Sequence, residues 1–581
     1  MTATTSQTKQ TAPSGLARLI PMLQWAPQYE RSWLRPDLIA GLTVAALVVP
    51  KALGYAGIAG VPIQHGLYAA AAGAILYAFF GTSRQIATGP SSALAAVAAG
   101  AVVAASASGP EAVTLVATIT FVTGILFLLL ALFKMGWISQ FLSKAVITGF
   151  LFGAAIEVVI GELPKLTGTS IEGSNAWQKL FSWIGTLPET DLFTMVVGII
   201  SLALILALRF FAPRVPGALV LVILGIAATA YFDLGELGLA LVGDVPRGFA
   251  GFALPSLQFM LENLQVIGAA SIGLLLIGFS QSAGDAREFA SRHRYNVDIN
   301  QESVAQGMSN VGSGLVQGIP VSTSLSASSL NDSAGAKTPV ASLTTGVLVI
   351  LTLLFLAPLF SYLPKAVLAA IIIDAVVFGM MDVKGIRRLR HVKRSDFWIA
   401  IAAILGVLGA GVLAGVLIGV VLSLGWLVYV AATPAMPVLG RQRGTQVFRS
   451  IDEYPDSETY PGMLVLRFDS GLFFASSDAL HDRLRELALE ADPPLHTVVL
   501  DFEGINFIDS QGSSKMTELL ELAVDYDIEL RLTRVKTDVK QLLQREGVID
   551  AISEDRIYGN VYEAAVDQIP GMAAPNGPPD S

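Results

Sequence analysis

Lys51 is the first residue in this sequence whose position demands a chemical reason. It stands inside an apolar run covering about residues 38–58, flanked by Val49, Pro50, Ala52 and Leu53. A lysine at membrane depth costs about 2.5–3.5 kcal/mol on insertion scales, so a functional role is the default reading. Tyr55 follows one helical turn later and points to the same side. Two hydroxyl-rich segments complete the set. One is Thr88-Gly89-Pro90-Ser91-Ser92-Ala93, and the other runs from Gly318 and Pro320 to Ser322-Thr323-Ser324-Leu325-Ser326. Each places proline and small residues immediately before a serine-led helix start. A helix that begins at mid-membrane offers unpaired N–H groups and a positive dipole end, which suits an anion. Lys51, Tyr55, Pro90, Ser91, Ser92, Ser324 and Ser326 are therefore the candidate binding residues. The blander readings are that the serines pack helices together, and that Lys51 snorkels or pairs with Glu157 or Asp374.

Other chemistries find little support. The chain has no cysteine, and its five histidines include no pair at metal-binding spacing. We find no nucleophile–base pair, metal cluster or nucleotide loop, so enzymatic activity is not expected. No cofactor is expected either, with sodium or protons as the candidate coupling ions. The net charge of −9 comes without a basic stripe and gives no reason to expect nucleic acid.

The elements that must carry these residues are membrane spans. Hydrophobic residues make up 53% of the chain and charged ones 14%, and mean hydropathy is +0.62. A soluble domain carries roughly 25% charge. Apolar runs recur near residues 38–58, 66–80, 91–106, 112–134, 138–160, 192–211, 216–232, 262–282, 303–318, 325–338, 341–361, 365–380, 396–410 and 412–432. A spanning helix needs about 20 apolar residues, and the third, ninth and tenth runs fall short or are too polar. The third and tenth are corresponding members of two seven-span halves, as an inverted repeat requires. Cations support this parity. Arg84, Lys134, Arg209, Arg214, Arg287, Arg292, Arg294 and the group Lys384–Arg394 all follow even-numbered spans, which puts both termini in the cytoplasm. Residues 1–15 are polar, and no cleavable signal peptide is visible.

Near residue 435 the composition changes. Residues 463–468, 497–502 and 528–533 alternate or are β-branched like strands, and 477–491 and 513–526 have helical spacing. Alternation of these lengths predicts a small α/β domain with a largely parallel sheet. The expected organisation is a tail at 1–15, a membrane domain at 16–435, the α/β domain at 440–568 and a disordered tail at 569–581.

Several motifs carry a family resemblance. Asp37-Leu-Ile-Ala-Gly-Leu-Thr-Val-Ala-Ala, Val49-Pro50-Lys51-Ala52-Leu53-Gly54-Tyr55-Ala56, Thr82-Ser83-Arg84 with Gly89-Pro90-Ser91, Asn300-Gln301-Glu302 through Asn310, and Pro320 through Thr338 resemble, in order, the signatures of the sulfate permease (SulP) transporters. Phe507-Ile508-Asp509-Ser510-Gln511-Gly512 resembles the phosphate-site loop of STAS domains, whose serine corresponds to Ser510. The alternative is that Asp509 and Ser510 merely cap the following helix. The resemblance implies an α-helical polytopic protein of fourteen spans, built as a seven-plus-seven inverted repeat with core and gate domains. It also implies elevator-type alternating access, a homodimer, and a cytoplasmic STAS domain with Ser510 as a regulatory site and cytoplasmic partners of its own. Membrane lipid and a small inorganic anion are the other expected partners.

The departures from the family pattern are specific. Ala327 stands where many relatives have an arginine at the anion site, and Lys51 where many have a pocket-lining glutamine. Gln281 stands where prokaryotic relatives often have a glutamate, and glutamine cannot titrate. Gln281 is therefore expected to bind substrate, or to make an ordinary interhelical hydrogen bond, rather than to couple a cation directly. Asp285, four residues on, is expected to lie too near the cytoplasmic end to replace the glutamate. Sulfate is the default substrate by resemblance. Bicarbonate, chloride or dicarboxylates, a nucleobase symporter, and a membrane sensor with STAS output are the alternatives.

Overall fold

The computed structural model describes residues 19–136, 143–173, 175–213 and 215–569. Tail residues 1–15 and 570–581, the start of the fifth expected span and Arg214 lie outside the described residues. The chain divides into two compact units, one ending at Ser423 and the other beginning at Leu424.

In the first unit, each expected apolar run contains a helix. The early ones are α1 (Leu34–Ile58), α2 (Gln64–Phe80), α3 (Ser92–Ala104), α4 (Gly109–Leu132) and α5 (Lys144–Thr167). After α6 (Ala176–Thr186) come α7 (Leu192–Phe211), α8 (Gly217–Phe232), α9 (Leu264–His293), α10 (Ile299–Leu315), α11 (Leu325–Ser333) and α12 (Val340–Leu351). Then come α13 (Lys365–Met380), α14 (Val383–Val392), α15 (Arg394–Ala410) and α16 (Val412–Ala432), the last of which contains the boundary at Ser423. Among the described residues eight helical stretches are long and apolar enough to cross a bilayer, and α3 and α8 are shorter apolar helices.

Four local outcomes differ from the sequence expectation. The third and tenth runs open not as helix but as three-residue strands, β1 (Thr88–Pro90) and β2 (Val321–Thr323), which pair antiparallel with Gly89 opposite Ser322. The helix expected to stop near 282 continues to His293 and closes at Arg294 with φ 55°. The run at 341–361 leaves the α-helical path after Leu351 for a wider turn at Thr352–Leu356 and a tight one at Ala357–Tyr362, where Pro358 has no N–H to donate. Finally, α6 and α14 form in segments that the hydropathy pattern leaves between spans. Asn175 and Asp382 cap them, through bonds of 3.0 Å from the Gln178 N–H and 2.7 Å from the Gly385 N–H.

The helices pack in two sets. In the first, α4 lies along α10, α10 along α2, α12 along α1 and α2, and α9 along α4. In the second, α5 lies along α13 and α15, and α13 along α7. The sets meet where α13 packs on α1. The family-like signatures turn out to be the tethers of the first set. Asp37 is fully buried and accepts from the Lys337 N–H at 2.6 Å, the Thr338 N–H at 3.1 Å and the Thr338 hydroxyl at 2.6 Å. Glu302 accepts from the Tyr77 hydroxyl at 2.6 Å and the Thr82 N–H at 2.8 Å. Removing either carboxylate leaves several buried donors unpaired, each worth about 1–3 kcal/mol.

The second unit is α/β, as expected. Strands β5 (Met463–Arg467), β6 (Thr497–Asp501), β7 (Glu529–Thr533) and β8 (Ile557–Tyr558) form a sheet in that order, parallel throughout. A separate antiparallel pair, β3 (Leu439–Arg441) and β4 (Phe448–Ser450), precedes it. Helices α17 (Ser477–Glu490), α18 (Ser510–Asp525), α19 (Thr537–Arg545), α20 (Val548–Ile552) and α21 (Val561–Ala565) cover the sheet. Leu466, Leu480, Leu500, Met516, Leu532 and Leu543 fill its main core.

Candidate functional site

The site is built on the β1–β2 pair. An extended backbone at membrane depth must find partners within the protein, and here side chains supply them. Asn310 brackets Val321, accepting from its N–H at 3.0 Å and donating to its carbonyl at 2.9 Å. Gln306 donates to the Thr88 hydroxyl at 3.1 Å. The Ser324 N–H donates to the Ala87 carbonyl at 3.1 Å, the Ala87 N–H to the Ser328 hydroxyl at 2.9 Å, and Asn331 to the Gln85 carbonyl at 3.0 Å. Gln306 and Asn310, one turn apart on α10, are visible in the sequence as part of a motif, but their bracketing of the strands needs the fold to be seen.

Helices α3 and α11 start directly from this pair, with Ser91 and Ser324 as their first caps. A small cavity lies against both starts. Its wall includes Lys51 and Tyr55 from α1, Thr88, Gly89 and Pro90 from β1, Ser324 and Ala327 from the second start, and Ser342 and Thr345 from α12. The space is about 20 Å³, room for one or two waters. The Lys51 ammonium donates to the Ser326 hydroxyl at 3.2 Å, and Ser326 lies 3.3 Å from the Ser324 hydroxyl. The buried Tyr55 hydroxyl is turned to the Ser92 side chain. One cation, a chain of hydroxyls and two helix starts thus converge on one space. That arrangement can hold a small anion by charge-assisted hydrogen bonds.

Of the residues singled out in the sequence, Lys51, Tyr55, Pro90 and Ser324 line the cavity, and Ser326 and Ser92 touch its lining residues. Ser91 caps α3 without a side-chain bond to it. Gln281 is not in the cavity wall, and its amide oxygen is buried with no hydrogen-bond partner among the described residues. Ser342 and Thr345 were missed, although their one-turn spacing on an apolar helix was a usable signal.

The acids each take a partner in the fold. The Asp285 carboxylate accepts from the Thr323 hydroxyl of β2 at 2.7 Å. The extension of α9 brings it there. Lys51 makes its hydrogen bond with Ser326, while Glu157 receives Lys179 at 3.2 Å and Asp374 receives Arg209 through two bonds of 2.6 Å. In the second unit Asp509, not Ser510, caps α18, accepting from the Gly512 N–H at 2.7 Å and from the Phe474 N–H at 3.0 Å. Ser510 is exposed in the first turn.

The sulfate permease family profile matches residues 34–403, more than half of the chain. The chain belongs to the sulfate permease family. A STAS domain profile matches residues 454–564. A probable sulfate transporter of Mycobacterium tuberculosis is 33% identical over 542 residues, covering 92% of this chain and 96% of that protein. The chloroplastic sulfate transporter 4.1 of Arabidopsis thaliana is 30% identical, covering 94% and 82%. Among solved structures, murine Solute Carrier 26 family member A9, an anion transporter in the inward-facing state, superposes with a TM-score of 0.88 at 20% identity, covering 97% of this chain and 96% of that one. The fold is therefore that of a multi-pass helical anion transporter with a C-terminal STAS domain, and the family is one of transporters rather than enzymes.

Proposed function

We propose that this protein is a secondary-active inorganic-anion transporter with sulfate as its substrate. The observation that carries the reading is Lys51 in the wall of a cavity bordered by two helix starts, its ammonium bonded at 3.2 Å to Ser326. It supplies positive charge that Ala327 cannot. The mycobacterial and plant relatives are sulfate transporters by name, which favours sulfate over the other anions.

The wider reading has fourteen spans in a seven-plus-seven inverted repeat, with the α1–α4 and α9–α12 set as core and the α5–α8 and α13–α16 set as gate. The core would slide against the gate, carrying the anion with it. The corresponding strand-plus-helix form of the third and tenth segments supports the repeat. Both termini and the STAS domain would be cytoplasmic, Ser510 would be a regulatory site, and the working unit would be a homodimer.

Radiolabelled sulfate uptake into proteoliposomes tests the reading, with bicarbonate and fumarate as competitors and with imposed sodium or proton gradients. Saturable sulfate uptake is expected. Uptake of none of the three anions, or fumarate or bicarbonate preferred over sulfate, overturns it.

A further inference from the structure

We infer that Arg209 is a second, cytoplasmic-side station for the transported oxyanion, held in the resting site by Asp374 as an internal stand-in for that anion. The inference rests on the binding role of Lys51.

The geometry at Arg209 is that of oxyanion recognition. Its Nε and Nη2 each donate to a different carboxylate oxygen of Asp374 at 2.6 Å. Such a fork fits any planar or tetrahedral oxyanion that offers two neighbouring oxygens, so sulfate can occupy the same pair of donors. Phe378 holds the guanidinium plane from one face, 4.3 Å from its ring centre. The Asp374 side chain is buried, at 9% exposure, whereas that of Arg209 is 38% exposed. The cation is therefore reachable from outside the pair, while its partner is not.

This pair is carried by α7 and α13, and α13 packs on the Lys51 helix α1. Gly54 of α1 abuts Ile372 of α13 so closely that a side-chain carbon there would stand 3.0 Å from the isoleucine. Lys51 lies one turn before Gly54, and Asp374 two residues after Ile372. The helix that carries Asp374, α13, packs on the helix that carries Lys51 and Tyr55, α1. Arg209 is also in the last turn of α7, the end placed in the cytoplasm by the proposed topology.

An exchange of partners follows from this placement. The anion leaves Lys51 for Arg209 as the Asp374 carboxylate leaves Arg209 and turns to Lys51. Two cations and two anions remain paired before and after, so no charge is left alone in a low-dielectric site, which would be the costly outcome. Asp374 then returns when the next anion arrives.

Sidedness is the test. Sulfate half-saturation is measured in right-side-out and inside-out proteoliposomes, made from phosphatidylcholine alone and with added phosphatidylglycerol. The neutral pair Arg209→Gln with Asp374→Asn avoids a buried unpaired charge. It should raise half-saturation on the cytoplasmic face on the order of tenfold, as expected for lost hydrogen bonds to a charged group, and leave the outer face unchanged. Asp374→Asn alone should lower cytoplasmic half-saturation and slow turnover, because Arg209 then retains the anion. Equal shifts on both faces, or none, overturn the inference. So does an effect confined to vesicles containing phosphatidylglycerol, which would make Arg209 a lipid-headgroup contact. Lys51→Gln run in parallel separates the two readings, since unchanged affinity on both faces there sinks the Lys51 site itself.

Discussion

Thr323 donates a 2.7 Å hydrogen bond to Asp285, joining the strand that precedes one helix start to the long helix α9. A carboxylate tied to the strand pair therefore stands one turn beyond Gln281, in a position where a coupled cation would alter that pair directly. Asp285→Asn keeps an acceptor for Thr323 and removes the charge. If sodium or protons drive uptake, the variant should exchange sulfate while losing most of its response to the imposed gradient. Gln281→Glu should steepen that response, because a second carboxylate one turn away raises the cost of leaving both ionised. Gradient dependence identical to the native protein in Asp285→Asn would remove this residue from coupling.

In the STAS domain, Arg531 is almost fully buried and donates to Asp567 at 2.6 and 2.7 Å. The hydrogen bonds from Arg531 hold the Asp567 carboxyl below its ordinary range. A depressed folded-state value means stability that is present above the unfolded carboxylate range and lost as pH falls through the folded value. The isolated domain should thus lose stability below about pH 4, where free aspartate protonates. Asp567→Asn should cost about 1–2 kcal/mol at pH 7, discounted because Asp567 is 39% exposed, and should flatten the acid limb. Urea unfolding at pH 7 and pH 3 measures both, and an unchanged acid limb in the variant assigns it to other groups.

Much of this was legible because membrane burial leaves so coarse a trace. Each apolar run became a helix, and the short third and tenth runs pointed to the strand pair and the cavity. Legibility failed where a residue's meaning depends on what the fold places opposite it. Asp285 reads as a helix-end acid until β2 arrives beside it, and Asp374 as a partner for Lys51 until Arg209 reaches it from 165 residues away. Amphipathic α14 was hidden by its charge. A row of arginines looks like a loop unless the apolar residues on its other face are counted.

The wall of the proposed anion cavity is formed by residues between Val44 and Thr345, all of them in the first unit. Deleting residues 440–581 should therefore leave the order of anion preference intact while changing rate or stability. Competition by bicarbonate and fumarate against labelled sulfate, native versus truncated, reads this out. A truncated protein that inserts and folds but prefers a different anion would give the STAS domain a part in selectivity.

Lys51 and Ala327 make the sharpest prediction about the site. Lys51→Gln removes the cation from the cavity wall but keeps a donor for Ser326, so the protein should fold. Losing a desolvated charge partner typically costs about 2–5 kcal/mol, a fall in sulfate affinity of roughly thirtyfold or more. Lys51→Arg should recover only part of it, because a planar guanidinium is larger than the ammonium and the cavity has about 20 Å³ to spare. Ala327 lines the same cavity from the start of α11 and is 3% exposed. Arginine there would crowd Lys51 and repel it, so Ala327→Arg alone should impair folding or transport. In the Lys51→Gln background the repulsion is gone and part of the volume is freed, so Ala327→Arg should restore some of the lost affinity. Binding of labelled sulfate to purified protein, with melting temperature measured alongside, separates affinity from folding. A folded Lys51→Gln protein that binds sulfate as the native one does would remove Lys51 from the site, and the Ala327 rescue would fall with it.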